Sequence, residues 1–226
     1  MDSYTTPDFE RSALVIIDTQ NDFTLDQAPA RIEGTLEIIP NLVRLLALYR
    51  GRSLPVIHVV RLYFEDGSNV DLCRRKQIED GKRIAIPGSI GAELVEELKP
   101  DNRVRLEADR LIAGEFQQIA SREYVMYKSR WGAFYQTEFE RFLNEIQVNT
   151  LVFAGCNFPN CPRTSIYQAS ERNFRIVLVR DAVSQLHRKD VEEMQAIAVS
   201  VTTTSKIYSI FNGKSRADEK NKVTEA

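Results

Sequence analysis

Ala13-Leu-Val-Ile-Ile17, closed by Asp18, is the stretch on which the fold turns. Five consecutive apolar residues without polar alternation suit a strand covered on both faces, the condition of strands in a parallel sheet. Working outward, the same kind of run returns. Pro55-Val-Ile-His-Val-Val60, Tyr124-Val-Met-Tyr-Lys128, Thr150-Leu-Val-Phe-Ala154 and Arg175-Ile-Val-Leu-Val179 read as further strands, with minor ones at Arg103–Leu106 and Lys206–Tyr208. Helical patterns fall between them. Pro40 opens one, with Leu42, Leu45, Leu46 and Tyr49 on one side and Gly51 placed to end it. Ser89 caps a short one through Leu98. Thr137 and Glu140 form a capping box before Phe139, Phe142, Leu143 and Ile146. Pro162 begins another, to about Asn173, and a last runs from about Asp190 to Val201.

This βαβα order, with no repeat or composition break, predicts an α/β fold. It is a three-layer α/β/α sandwich around a mainly parallel, doubly wound sheet of about six strands. Residues 1–11 read as a flexible lead-in, 12–211 as the domain, and 212–226 as a charged, disordered tail. The polar stretch from Arg61 to Gly88 reads as a long loop of the kind that carries function.

Composition narrows the function. The 226 residues hold 30 Lys and Arg against 32 Asp and Glu, a net charge of −2, which gives no electrostatic claim on nucleic acid or an anionic membrane. The 43% apolar content is ordinary for a globular protein. Three Cys at irregular spacing do not make a secreted disulfide framework, and two His cannot build a His-rich metal site. Met1–Arg11 lacks the apolar core of a signal peptide, so a cytoplasmic location is the default expectation. His58 lies inside a strand and reads as core. Cys156 and Cys161 lack a second pair to complete a tetrahedral metal site. Arg74-Arg75-Lys76 is a short basic run followed by Glu79 and Asp80, a solvated face. No Gly-rich phosphate loop follows any strand.

In open α/β sheets, ligands bind beyond the carboxyl ends of the strands. Asp18, Lys128 and Cys161 stand at such ends. Each has an ordinary reading: a turn residue, a solvated amine, a small buried hydrophobe. Together they suit nucleophilic catalysis. A thiol at a helix N-terminus is favoured as thiolate, a lysine lowers its pKa further, and a carboxylate accepts its proton.

Three motifs add a resemblance. Asp18-Thr-Gln-Asn-Asp-Phe23 after an apolar strand, Lys128-Ser-Arg-Trp-Gly-Ala-Phe134 with Thr137 beyond it, and Phe153-Ala-Gly-Cys-Asn-Phe-Pro-Asn-Cys161 occur in order. They resemble the opening, lysine and nucleophile motifs of the isochorismatase-like cysteine hydrolases, over most of the chain. The resemblance implies Cys161 as nucleophile, Asp18 as general base and acid, and Lys128 as electrostatic support. It also implies a cis peptide between Cys156 and Asn157, with the amides of Asn157 and Cys161 as the oxyanion hole. The chain departs from the family where Phe158 and Pro159 replace the usual Thr three residues before the Cys. It lacks the Asp-x-His metal motif of nicotinamidases, while Cys161 argues against vinyl-ether cleavage and for attack on a carbonyl.

The expected function is a metal-independent cysteine hydrolase, without cofactor, cleaving an amide, ureido or carbamoyl C–N bond of a small molecule. The resemblance further implies a homo-oligomer, a dimer or tetramer. Phe23, Tyr63, Trp131 and Phe158 are candidate pocket walls, most of which the ordinary reading places in the core, and Arg74 or Arg83 could meet a charged substrate. The alternatives are a non-catalytic binding or scaffold protein on the same fold, and a nucleotide-binding module, which the missing phosphate loop disfavours.

Overall fold

The Ala13–Ile17 run lies in β1 (Ser12–Ile17), the middle strand of a seven-stranded sheet. The computed structural model describes residues 3–213. The other strands are β2 (Val56–Val60), β3 (Gln117–Ala120), β4 (Glu123–Tyr127), β5 (Thr150–Gly155), β6 (Arg175–Val183) and β7 (Ser200–Thr202). Their order is β3-β4-β2-β1-β5-β6-β7, parallel throughout except for β3 against β4. The sheet therefore has seven strands where the sequence pattern predicts about six.

The side chains of β1 explain the layers. Successive strand residues point to opposite faces. Ala13, Val15 and Ile17 enter one core cluster with Phe139, Leu143, Ile166, Ala169 and Met194. Leu14 and Ile16 enter another, with Leu42, Leu45, Leu46, Tyr49, Ile207 and Phe211. Each fully buried Leu or Ile contributes about 1.5–3 kcal/mol, so the continuous apolar run fastens both helical layers to one strand. The helices are α1 (Asn21–Thr24), α2 (Thr35–Gly51), α3 (Leu72–Glu79), α4 (Ala108–Ile112), α5 (Phe139–Glu145), α6 (Cys161–Ser170), α7 (Arg188–Ala196) and α8 (204–213). Helices α5, α6 and α7 supply the first cluster; α2 and α8 supply the second. None of the described helices is long and apolar enough to cross a membrane.

Several expected boundaries shift. Helix α2 begins at Thr35, after Gly34 in the left-handed region at φ 80°, so Pro40 lies inside it rather than at its start. Gly51 is its last helical residue, and Ser53 (φ 52°) takes the left-handed turn. The Thr137–Glu140 capping box is not formed: Thr137 donates to the Ala133 carbonyl at 2.7 Å, and α5 starts at Phe139. Ser89 caps a single 3-10 turn, Ile90–Ala92, with a second turn at Glu96–Leu98. Residues 103–106 form no strand, and 206–208 lie in α8. The stretch from Arg61 to Gly88 contains α3. Within the lead-in, Phe9 is buried with its ring 5.6 Å from that of Phe211, and the Asp8 N–H donates to Thr150 Oγ1 at 3.0 Å. Residues 1–2 and the expected charged tail from 214 onward lie outside the described residues; 212 and 213 end α8.

Candidate active site

The strand ends are fixed by ladder bonds that continue one residue past each strand. The Asp18 N–H donates to the Val59 carbonyl at 2.8 Å, and the Lys128 N–H donates to the Val60 carbonyl at 3.1 Å. Asp18 adopts φ 52°, a left-handed turn that Asp tolerates better than most residues. Beside it, Gly155 ends β5 at φ 107°. A Cβ there would stand 2.3 Å from the Ile17 carbonyl oxygen, so only glycine allows β5 to close on β1. Cys156 reinforces this approach: its N–H donates to the Ile17 carbonyl at 2.8 Å and its Sγ–H to the Asp18 carbonyl at 3.1 Å. It is a buried partner of the backbone and is set apart from the third thiol, exposed Cys73 on α3.

The resulting geometry brings the three motif residues together. Lys128 Nζ donates to Asp18 Oδ2 at 2.8 Å, and both side chains are buried. Asp18 Oδ1 is buried with no hydrogen-bond partner among the described residues. Cys161, 2% exposed, is the first residue of α6. Burial pushes its thiol pKa up, and the charge and hydrogen bonding of Asp18 push the same way, while Lys128 and Arg61 pull it down. Burial thus favours the thiol form of Cys161 beside the Asp18 side chain. The Cys156–Asn157 peptide is cis. Among the described residues, the N–H groups of Asn157 and Cys161 meet no turn or loop carbonyl. Asn157 is further held by its side-chain amide, which donates to Gln185 Oε1 at 2.8 Å.

The segment after Lys128 docks on α6, the helix that Cys161 opens. The Ala133 N–H donates to Ser165 Oγ at 3.0 Å, that hydroxyl donates to the Cys161 carbonyl at 2.7 Å, and the Phe134 N–H donates to Gln168 Oε1 at 3.0 Å. Between the two segments lies a hollow of about 300 Å³ lined by Asp71, Arg130, Trp131, Gly132, Tyr135 and Thr164. Of the four aromatic candidates, Trp131, 38% exposed, borders it. Phe158 is fully buried in the core cluster that contains Cys161, and Phe23 is buried in a third cluster with Tyr63 and Cys156. The Tyr63 hydroxyl accepts from Arg74 at 2.8 Å. Arg83 pairs with Glu65 among exposed side chains, while Arg74 lies within electrostatic reach of Cys161.

Two further residues, Arg61 and Gln20, join this grouping. Arg61, the residue after β2, is fully buried, with Nη2 3.8 Å from Cys161 Sγ. Gln20, in the opening motif, grips its backbone: Oε1 accepts from the Arg61 N–H at 2.7 Å and Nε2 donates to its carbonyl at 2.8 Å. The strand-end rule that selects Asp18 and Lys128 selects Arg61 as well. His58 lies in the sheet, with Nε2 2.8 Å from Glu123 Oε1, and His187 precedes α7, whose start it caps. Among the described residues, no three His, Cys, Asp or Glu side chains gather as a metal site requires.

With this geometry in hand, the chain can be set beside known proteins. Residues 12–107 and 107–206 match the family model described as the isochorismatase domain. A probable inactive nicotinamidase of Arabidopsis thaliana is 31% identical over 201 residues, 86% of this chain and 93% of its own. The maleamate amidohydrolase of Pseudomonas putida is 28% identical over 181 residues, 78% of this chain and 74% of its own. The crystal structure of an isochorismatase family protein from Desulfovibrio vulgaris superimposes with a TM-score of 0.76 at 31% identity, over 89% of this chain and 98% of that one.

Proposed function

The chain belongs to the isochorismatase family of hydrolases, and on that premise we propose that it is a cysteine hydrolase. Its substrate is a small molecule with an amide, ureido or carbamoyl C–N bond, cleaved through a thioester on Cys161. The observation that carries this reading is the convergence of Asp18, Lys128 and Cys161 beyond three strand ends, with the carboxylate held by the lysine at 2.8 Å. The amide-cleaving name of the Pseudomonas relative supports the bond type.

Asp18 takes the proton of the Cys161 thiol as sulfur attacks the carbonyl carbon. The oxyanion accepts from the Asn157 and Cys161 N–H groups; one such donor is typically worth about 3–4 kcal/mol. Asp18 returns the proton to the leaving nitrogen, and the C–N bond breaks to leave a thioester. Asp18 then deprotonates a water that attacks the thioester carbonyl. The second oxyanion collapses, sulfur leaves as thiolate, and the proton passes from Asp18 back to sulfur. Lys128 holds the Asp18 carboxylate in place between these transfers. Trp131 and Thr164 line the hollow beside α6, the helix that Cys161 opens, and this is where the non-reacting part of the substrate is held.

A second reading, a non-catalytic protein on this fold, is favoured by the Arabidopsis relative, whose name calls it inactive. One experiment separates the two. Wild type and Cys161→Ala are assayed against small amides, ureido acids and carbamoyl amines, with release of ammonia or amine as the readout. The hydrolase reading expects turnover by wild type and a loss of at least about 10³-fold in Cys161→Ala, in keeping with the removal of a nucleophile. Full turnover by Cys161→Ala would sink the mechanism, and no turnover of any substrate class by wild type would favour the non-catalytic reading.

A further inference from the structure

The Asp–Lys–Cys grouping leaves one buried charge at the nucleophile unexplained. Arg61 has no exposed surface, which is rare for arginine and costly unless the charge is compensated. Its compensation is uneven. Nη1 donates to the Ser129 carbonyl at 2.9 Å and lies 3.1 Å from Asp71 Oδ2, and the guanidinium carbon sits 5.7 Å from the centre of the Tyr63 ring. Nη2 faces Cys161 Sγ at 3.8 Å, and Nε is buried without a partner among the described residues. A guanidinium serving only as a structural pin would use its fork on oxygen acceptors. Here one arm is anchored on a carboxylate and a carbonyl, and the other is spent on sulfur.

We propose that Arg61 is a second cation at the nucleophile, held by Asp71 and by Gln20 so that its free arm stabilises the Cys161 thiolate once the thiol proton has left. This rests on the reading of Cys161 as the nucleophile. The thiol proton goes to Asp18, and the charge left on sulfur lies against Nη2. The ionisable groups around this sulfur come from every neighbouring element. They are Asp18 after β1, Arg61 after β2, Arg74 on α3, Lys128 after β4 and the Cys156 thiol after β5. Lys128 is committed to Asp18 Oδ2, and the Arg74 Nη1 group to the Tyr63 hydroxyl. Arg61 therefore contributes the guanidinium in direct contact with sulfur. Asp71, the residue before α3, acts through Arg61 and is a positioning residue.

The test needs no substrate. In a Cys73→Ser background, which removes the exposed thiol, the reaction of Cys161 with iodoacetamide is followed by mass spectrometry at pH 8. Arg61→Gln should slow it about tenfold, the effect of a thiol pKa raised by about one unit. Arg61→Lys, which keeps the charge, should lose less than about threefold. Glutamine is smaller than arginine, so easier access would speed the reaction; slowing reports loss of thiolate. Should Arg61→Gln unfold because Asp71 is left unpaired, the double variant Arg61→Gln with Asp71→Asn removes that charge and carries the same expectation. An alkylation rate in these variants equal to or above that of wild type would overturn the proposal, as would equal slowing in Arg61→Lys. Arg61-dependent alkylation in a protein that cleaves no amide would instead count against the hydrolase reading and leave the second cation standing.

Discussion

Strands β2 and β4 carry buried charge toward both ends, and the two ends are built differently. Toward the amino end, Glu123 accepts from Arg50 Nε and Nη2, both at 2.7 Å, and from His58 Nε2 at 2.8 Å. Both of its oxygens are engaged. Burial would raise its carboxyl, but the hydrogen bonds and charges of Arg50 and His58 outweigh burial and bring it down to about 2. Beyond the carboxyl end, Asp18 has one oxygen on Lys128 and the other without a partner among the described residues, beside a Cys161 thiol whose pKa burial pushes up. The Glu123 carboxylate is thus saturated, although His58 Nδ1 beside it is buried without a partner among the described residues. Asp18 keeps one oxygen without a partner among the described residues, an acceptor of the kind that general acid–base chemistry uses. Two buried carboxylates, Glu123 and Asp18, thus differ in how far their oxygens are satisfied, the difference expected between a structural pin and the proposed reaction centre.

The comparison can be broken most sharply at Asp18. Asp18→Asn keeps the shape and removes the base, so kcat should fall by about 10³–10⁴-fold in a steady-state assay. A variant keeping more than a tenth of wild-type turnover would erase the distinction between the two clusters. Glu123→Gln should do the reverse. Its kcat should stay within about twofold, while stability at pH 7 should drop by about 3 kcal/mol, because Arg50 loses its buried charged partner. Since the folded carboxyl lies below its ordinary value of 4.5, its contribution is present above that pH and fades as pH falls toward 2. Chemical denaturation of wild type and Glu123→Gln should therefore converge across that window; a constant gap would show that the ion pair is not the source. The smallest effect belongs to the hollow. Trp131→Ala should raise KM by about 3–10-fold with kcat within about twofold, since it removes a wall and no reacting group.

The sheet is legible in the sequence because its central strands are continuous apolar runs, and three of them end at a charged residue that marks the crevice: Asp18, Arg61 and Lys128. For that reason Asp18 and Lys128 stand out from the sequence alone, while Cys161 stands out as the residue before the helix that Pro162 opens. Arg61 obeys the same rule, closing Pro55–Val60, but it also opens a long polar stretch and so reads as loop. Helix α3 leaves no apolar stripe to read, because Ile78 is the one buried residue of its eight. Ile207 and Phe211, four apart, bury one helical face against Phe9 and Tyr49, although Lys206–Tyr208 by itself has the look of a short strand. Pro40 is a poor guide to the start of α2 because proline suits a first turn but is also tolerated where packing holds the helix together. Phe158 in place of the usual Thr is answered by the core: its side chain fills the cluster around Cys161.

The central claim is that Cys161 forms the covalent intermediate. Wild-type protein is quenched in acid during turnover of an amide identified by the screen, digested, and analysed by mass spectrometry. The account predicts an acyl group, with the mass of the substrate's carbonyl fragment, on the peptide containing Cys161 and on neither Cys73 nor Cys156. Unmodified Cys161 at every quench time, with turnover continuing undiminished when Cys161 is replaced by alanine, would contradict it.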